Sequence, residues 1–228
     1  MTEDEAQSWL KGRGWLNGSE GERLRWLVFE TLAEADRQNL ISAGTRDMIW
    51  SRHIVDSAQL LDHATPEKTG LWVDIGSGAG FPGLVIACLT EHPILLVEPR
   101  PLRVAYLERC IAQLGLAHCT VSQSGIGAVE RPNVSVISAR AYAPLSKIFA
   151  TASHLADLST TWVLPKGRNA NLELETARTE WQGVFHVKQS VTDAESHMIV
   201  ATQVERGQRP SQSISRGKYG QKGRRARA

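Results

Sequence analysis

Between Asp74 and Gly83 the chain reads Asp-Ile-Gly-Ser-Gly-Ala-Gly-Phe-Pro-Gly, with Gly76, Gly78 and Gly80 at alternate positions after an apolar run. A turn without Cβ atoms lets bare main chain approach a nucleotide-like ligand at the carboxyl end of a strand. Acidic residues stand at both places where such a ligand needs them. Asp74 ends the run Leu71-Trp72-Val73, and Glu98 closes the next, Ile94-Leu95-Leu96-Val97, 22 residues after Gly76. A carboxylate about 20 residues past a glycine turn can accept hydrogen bonds from both ribose hydroxyls. Each such bond is charge-assisted and stronger than a neutral one. The bland alternatives are a glycine-rich turn with no ligand and a solvated strand end. A dinucleotide fingerprint is excluded, because its third glycine falls on Phe81, and the chain has no Gly-x-x-x-x-Gly-Lys-[Ser/Thr] loop.

Three further side chains could do chemistry. Arg140 follows the run Val134 to Ser138 in a stretch of small residues. Its planar fork could bind a base edge or a phosphate, or could form a structural salt bridge. His53 is flanked by Arg52 and Asp56, which are spaced as a helix-surface pair. The imidazole is either functional or a satisfied, partly buried ring. Lys166 ends another apolar run and is either a phosphate contact or a solvated lysine.

The elements that must carry these residues alternate. Residues 3–64 read as helical: Trp26, Leu27, Phe29, Glu30, Leu32 and Ala33 form one face, and Ile49, Trp50, Ile54, Ser57, Ala58 and Leu61 another. Gly44 and Thr45 fit a C-cap followed by an N-cap. From residue 71, strands at 71–75, 93–98, 118–122, 134–138 and 160–165 alternate with helices at 82–91, 101–115, 144–157 and near 169–182. That rhythm predicts an α/β fold with a parallel sheet and right-handed crossovers. Strands at 184–191 and 196–203 lie too close for a crossover helix, so they should form an antiparallel hairpin. Seven strands result, with any ligand outside their carboxyl ends.

The 228 residues divide into an N-terminal helical extension (1–66), a main domain (67–205) and a basic tail (206–228). The tail holds eight Lys/Arg, Arg224 and Arg225 among them, and no acid. The body keeps 18 of the 26 basic residues against all 24 acidic ones. Such a tail should be disordered when free, and either suits a polyanion such as RNA or serves solubility alone. No secretory signal or membrane-length apolar run is present. Cys88, Cys110 and Cys119 are scattered and odd in number, as in a reducing cytoplasm, and suggest neither a metal site nor disulfides. A monomer is expected.

The glycine loop resembles the S-adenosylmethionine (SAM) loop of Rossmann-like class I methyltransferases. Five more segments occur in order around it: Asn39-Leu40-Ile41-Ser42, Arg52 to Ser57, Arg103-Val104-Ala105-Tyr106-Leu107, Ala139-Arg140-Ala141 and Leu164-Pro165-Lys166-Gly167. Over residues 24–203 the ordered set resembles the bacterial 16S rRNA guanine-N7 methyltransferase G family. The resemblance implies SAM-dependent methylation of N7 of one guanine in 16S rRNA, free or in the small ribosomal subunit. It also implies cofactor contacts from Asp74, Gly76, Gly78, Gly80 and Phe81, from Glu98 on the ribose, and from Ile126 and Gly127 beside the adenine. Arg140 would lie by cofactor and substrate, and His53, Lys166, Arg224 and Arg225 toward RNA. The chain departs from the family pattern at Ser135, Leu102 and Ile126-Gly127. The last pair lacks the usual acid, so adenine contact there would be through backbone.

Guanine N7 carries an in-plane lone pair and no proton, so no general base is needed. The absence of an Asn/Asp-Pro-Pro-[Tyr/Phe] segment disfavours amino methylation, and the absence of a Pro-Cys pair disfavours cytosine C5. Two other classes remain: a non-catalytic RNA-binding assembly factor on the same scaffold, since fold alone proves no activity, and a methyltransferase for a small molecule or protein.

Overall fold

The computed structural model describes residues 1–64, 70–130 and 133–207. The predicted boundary at 66/67 and nearly all of the basic tail, with Arg224 and Arg225, lie outside the described residues. Seven strands, β1 (Leu71–Ile75), β2 (Ile94–Val97), β3 (Cys119–Ser122), β4 (Val134–Ala139), β5 (Thr161–Lys166), β6 (Trp181–Gln189) and β7 (His197–Arg206), form one sheet in the order β3-β2-β1-β4-β5-β7-β6. The first five run parallel, and β7 pairs antiparallel with both β5 and β6.

The central strands are apolar on both faces because helices cover both. Alternation along each strand divides their side chains between two layers. Trp72, Ile94, Leu96 and Val163 enter one layer, while Val73, Ile75, Leu95, Val97, Trp162 and Leu164 enter the other. The first layer contains α1 (Glu3–Gly12), α2 (Gly18–Ala35), α4 (Gly83–Leu89) and α5 (Pro101–Leu114). The second contains α6 (Leu145–Ala152) and α7 (Ala170–Ala177). There Phe149 meets Trp162 edge-on with ring centroids 5.0 Å apart. The N-terminal helices therefore share the core of the sheet: Thr31 on α2 hydrogen-bonds Tyr106 on α5 at 2.9 Å inside it.

Between α2 and β1 the chain winds irregularly. A 3₁₀ turn, Ala43–Met48, leads into a π-helical turn, Trp50–Val55, the short α3 (Asp56–Ala58) and a second 3₁₀ turn, Gln59–Asp62. Glu3 on α1 accepts from the Trp50 and Ser51 N–H groups, both at 2.9 Å, and so satisfies the start of the π turn.

Several sequence expectations are corrected. Phe29 is 70% exposed and Ala33 is also exposed, because the buried stripe of α2 runs Leu24, Leu27, Thr31, Ala35. Ser42, not Thr45, precedes the 3₁₀ turn, and Thr45 lies within it. The helix foreseen near 169–182 stops at Ala177, so β6 begins at Trp181, whose indole packs on Phe149. A register shift at Gln182/Val184 passes through Gly183, where a Cβ would sit 3.0 Å from the Thr202 carbonyl.

β1 and β4 are joined inside the sheet by polar groups. Trp72 Nε1–H donates to Ser138 Oγ at 2.9 Å, and Ser138 Oγ–H donates to Asp74 Oδ1 at 2.7 Å. The Gly83 N–H, at the start of α4, donates to Asp74 Oδ2 at 3.2 Å. Replacing Ser138 by Ala leaves a buried N–H and one oxygen of a buried carboxylate without partners. At about 1–3 kcal/mol per orphaned group, Ser138→Ala is expected to lower the urea unfolding free energy by about 2–6 kcal/mol. A loss below about 0.5 kcal/mol would show that the relay is not a structural tie.

Candidate active site

The strand order reverses between β1 and β4, and there the carboxyl ends of β1, β2 and β4 open a cleft of about 440 Å³. Its floor is the glycine turn. Gly76 (φ +68°) and Gly78 (φ +56°) are left-handed, a conformation costly for other residues. A Cβ on Gly76 would come within 2.6 Å of the Tyr142 ring, and one on Gly78 within 3.2 Å of an Arg103 guanidinium nitrogen. The surface offered to a ligand is therefore bare main chain.

Glu98 forms the side of this cleft, and its side chain is buried. Oε2 accepts from the Gly78 N–H at 3.0 Å, and Oε1 accepts from the Arg100 backbone N–H at 3.0 Å and from Arg100 Nε–H at 2.9 Å. Burial alone would raise its carboxyl, but the bonds from Arg100 and Gly78 outweigh it and hold the group below its ordinary value. Glu98 is thus ionised at neutral pH. Three of its roughly four acceptor sites are occupied. The Arg100 side chain is 59% exposed, so this partner of Glu98 is open to solvent.

Asp74 and Gly80 lie beneath the turn rather than in the cleft wall. Both Asp74 oxygens are engaged by Ser138 and Gly83, and a Cβ on Gly80 (φ +88°) would strike Leu84 of α4 at 2.3 Å. They shape the loop from below. Phe81 does line the cleft; its peptide bond to Pro82 is cis, and its ring stacks on His53 with centroids 5.0 Å apart. Ile126 and Gly127 form a 3₁₀ turn after β3. The Ile126 side chain is in the core, Gly127 is exposed, and neither lines the cleft.

Arg140, just after β4, sits at the back of the cleft with its guanidinium carbon 5.4 Å from the Phe81 ring centre. Nη1–H donates to the Arg52 carbonyl and Nη2–H to His53 Nδ1, both at 2.9 Å. A guanidinium can only donate, so Nδ1 is the acceptor and the imidazole proton rests on Nε2. Nε2–H then donates to Thr45 Oγ1 at 2.9 Å. Burial, followed by the charges of Arg140 and Arg52, pushes the His53 pKa down to about 3, so the ring is neutral at working pH. Burial lowers the Arg140 pKa from its ordinary value, and the charges of Asp56 and Asp74 oppose that shift.

Beyond Arg140 lies a second cleft of about 630 Å³, walled by the 42–59 helical stretch, the segment after β4 and the ends of β5 and β7. Leu40, Arg140, Ala141 and Tyr142 belong to both clefts. Lys166 lines the larger one but is not solvated. Its side chain is 8% exposed, and the ammonium donates to the Ala143 carbonyl at 2.9 Å and to Glu173 at 2.8 Å. It ties the segment after β4 to α7. The expected Arg52–Asp56 helix pair is not formed. Arg52 pairs with Asp193 at 3.1 Å, while Asp56 accepts from Thr192 Oγ1. The π turn between them widens the helix and changes which side chains align.

Sequence reasoning gave no role to Arg100, Arg103 or Tyr142, all of which line the smaller cleft. Arg100 and Arg103 were detectable as a pair three residues apart at the start of α5, the element that follows Glu98. Arg103 also donates to the Asn39 carbonyl at 3.2 Å. Tyr142 carried no sequence signal beyond standing two residues after Arg140.

The family model GidB, rRNA small subunit methyltransferase G, matches residues 24–200. A ribosomal RNA small subunit methyltransferase G from Erythrobacter litoralis is 46% identical over 200 residues, 87% of this chain and 95% of its own. One from Rhizorhabdus wittichii is 45% identical over 99% of both chains. Among solved structures, the glycopeptide N-methyltransferase MtfA with SAM aligns at TM-score 0.55 and 8% identity over 66% of this chain and 94% of its own. A SAM-dependent methyltransferase from Aquifex aeolicus aligns at TM-score 0.53 and 15% identity over 68% and 92%. These two establish the class I methyltransferase fold. Bare glycine backbone beside an ionised, buried carboxylate fits the adenosine part of SAM. The chain belongs to the rRNA small subunit methyltransferase G family, whose members are SAM-dependent enzymes that methylate small-subunit ribosomal RNA.

Proposed function

We propose that the chain transfers methyl to N7 of a guanine in 16S rRNA at the junction of its two clefts. One observation carries this reading: Arg140 belongs to the walls of both the glycine-turn cleft and the larger cleft. When bound, SAM supplies a methyl group made electrophilic by its sulfonium. Gly76 and Gly78 offer main chain to it, Phe81 walls it in, Glu98 takes the ribose hydroxyls, and Arg103 offers charge to its carboxylate. Arg140 retains N–H donors beyond those given to Arg52 and His53, and these suit guanine O6, the acceptor beside N7. His53 positions Arg140 through Nδ1.

The nucleophile needs no deprotonation, so the contribution of the chain is alignment, for which about 7–11 kcal/mol of effective-molarity advantage is available. The basic tail, 206–228, adds an electrostatic RNA contact on this reading, and residues 1–66 act as a helical extension of the methyltransferase domain. Among the described residues no observation favours the assembly-factor alternative.

Incubating the purified chain with 16S rRNA or small subunits and labelled SAM, then mapping the modified nucleotide, is expected to yield 7-methylguanosine at one position. Label on an exocyclic amine or on protein would contradict the assignment.

Glu98→Gln removes the charge from the bonds to ribose, a contribution of about 1.5–3 kcal/mol. Calorimetry is expected to show SAM affinity lowered about 10- to 100-fold with the fold retained. An unchanged affinity would remove Glu98 from the cofactor site.

The folded-state pKa of His53, about 3, lies below its ordinary 6.5. Between these values the unfolded chain binds a proton that the folded chain refuses, so stability falls as pH drops below about 6.5. Single-turnover methylation should therefore show no acid limb near pH 6.5 from this imidazole. His53→Asn should lose that part of the acid destabilisation. A rate that titrates near pH 6.5 in the wild type, absent in His53→Asn, would mean that His53 is an acid–base group instead.

A further inference from the structure

We propose that Tyr142 is the residue against which the target base stacks while its N7 faces the cofactor cleft. This rests on the proposed function, because it assumes a guanine acceptor. Among the described residues that line both clefts, Tyr142 is the one aromatic, and it is 39% exposed. Its neighbours in the site are committed. Arg140 is held by Arg52 and His53, Lys166 by Glu173 and Ala143, and Arg103 by the Asn39 carbonyl. Among the described residues the Tyr142 hydroxyl makes no hydrogen bond and its ring packs on no other ring.

The ring is nonetheless placed with care. It lies against the Cα of Gly76, close enough that a Cβ there would collide at 2.6 Å. The residue before it, Ala141, is in the left-handed region at φ +52°. A non-glycine residue rarely adopts that conformation. That conformation turns the chain between Arg140 and Tyr142, so that both side chains reach the shared wall.

The chemistry of the acceptor decides what this ring does. The N7 lone pair lies in the plane of guanine, and O6 lies on the same edge. A residue reading O6 therefore sits at that edge, beside the incoming methyl, which is where Arg140 stands. Neither the methyl donor nor Arg140 can hold the flat face of the base. An aromatic surface beside that edge is needed, and unstacked RNA bases are commonly held this way. Tyr142 supplies such a face next to Arg140 and above the glycine turn. Its hydroxyl is not required for stacking.

The test is steady-state kinetics on small-subunit RNA substrate with Tyr142→Phe, Tyr142→Leu and Tyr142→Ala, with SAM affinity measured by calorimetry on each. Base–aromatic stacking is lost on truncation at a cost that corresponds to about a 5- to 150-fold change in an equilibrium or rate ratio. The Phe variant is expected to stay within about threefold of wild type. Leu and Ala should lose about 5- to 150-fold in kcat/KM for RNA, chiefly through KM, with SAM affinity within about threefold. Leu keeps the bulk against Gly76, so its loss reports the missing π face and not a collapsed loop. Equal activity of Leu and Phe would overturn the proposal. So would a tenfold loss of SAM affinity in Ala with KM for RNA unchanged, which would assign the ring to the cofactor. Wild-type protein that places no methyl on guanine N7 would overturn the underlying reading, and this inference with it.

Discussion

The Asp74 carboxylate, buried between β1 and β4, is the tie on which the site depends. A buried carboxylate is costly, and burial pushes its pKa up. Hydrogen bonds offset part of this: Ser138 reaches it from β4, the Ser77 hydroxyl from the turn, and the Gly83 N–H from the start of α4. Three elements are thereby held around one side chain. The glycine turn between Asp74 and Gly83 must then span a fixed gap, which it does with left-handed residues at 76, 78 and 80. The loop is rigid from beneath and bare from above, as a surface that receives a nucleoside must be.

A second constraint couples the N-terminal helices to the sheet. Arg140 projects from β4, yet the groups that orient it, the Arg52 carbonyl and His53 Nδ1, come from the π turn. That turn is in turn held by Glu3 of α1 and by Thr45. The imidazole stays neutral because burial, and after it the nearby Arg140 and Arg52 cations, oppose its protonation. A charged His53 would donate from both nitrogens and repel Arg140. The neutral ring is thus a positioning device, and the helical extension completes the site instead of merely covering the sheet.

Much of this architecture was legible in the sequence. Parallel strands buried on both faces read as unbroken apolar runs, so β1, β2, β4 and β5 were found within one or two residues. The glycine turn and Glu98 announced themselves by spacing. Less legible were features set by partners distant in the chain. Lys166 stays open between a phosphate contact and a solvated lysine until Glu173 is seen opposite it, and the i,i+4 spacing of Arg52 and Asp56 suggests a helix-surface pair until the π turn and Asp193 intervene. Asp74 stands at a strand end, but alternation along β1 places it on the face of Trp72, beneath the loop. Phe29 reads as part of a helix-period apolar face, while the packed stripe of α2 passes it by. The π turn has no simple sequence signature, and with it went the connection between His53 and Arg140.

The central claim is that the smaller cleft, with Glu98 at its side and Arg140 at its back, holds the cofactor and opens onto the larger one. A crystal structure with S-adenosylhomocysteine tests it most directly. The account predicts ribose hydroxyls on Glu98 with the Arg100 side chain displaced, adenosine along Gly76 to Gly78, and the sulfur facing the Arg140–Tyr142 wall. Density for the ligand in the larger cleft alone, with Glu98 still bound to Arg100, would contradict it.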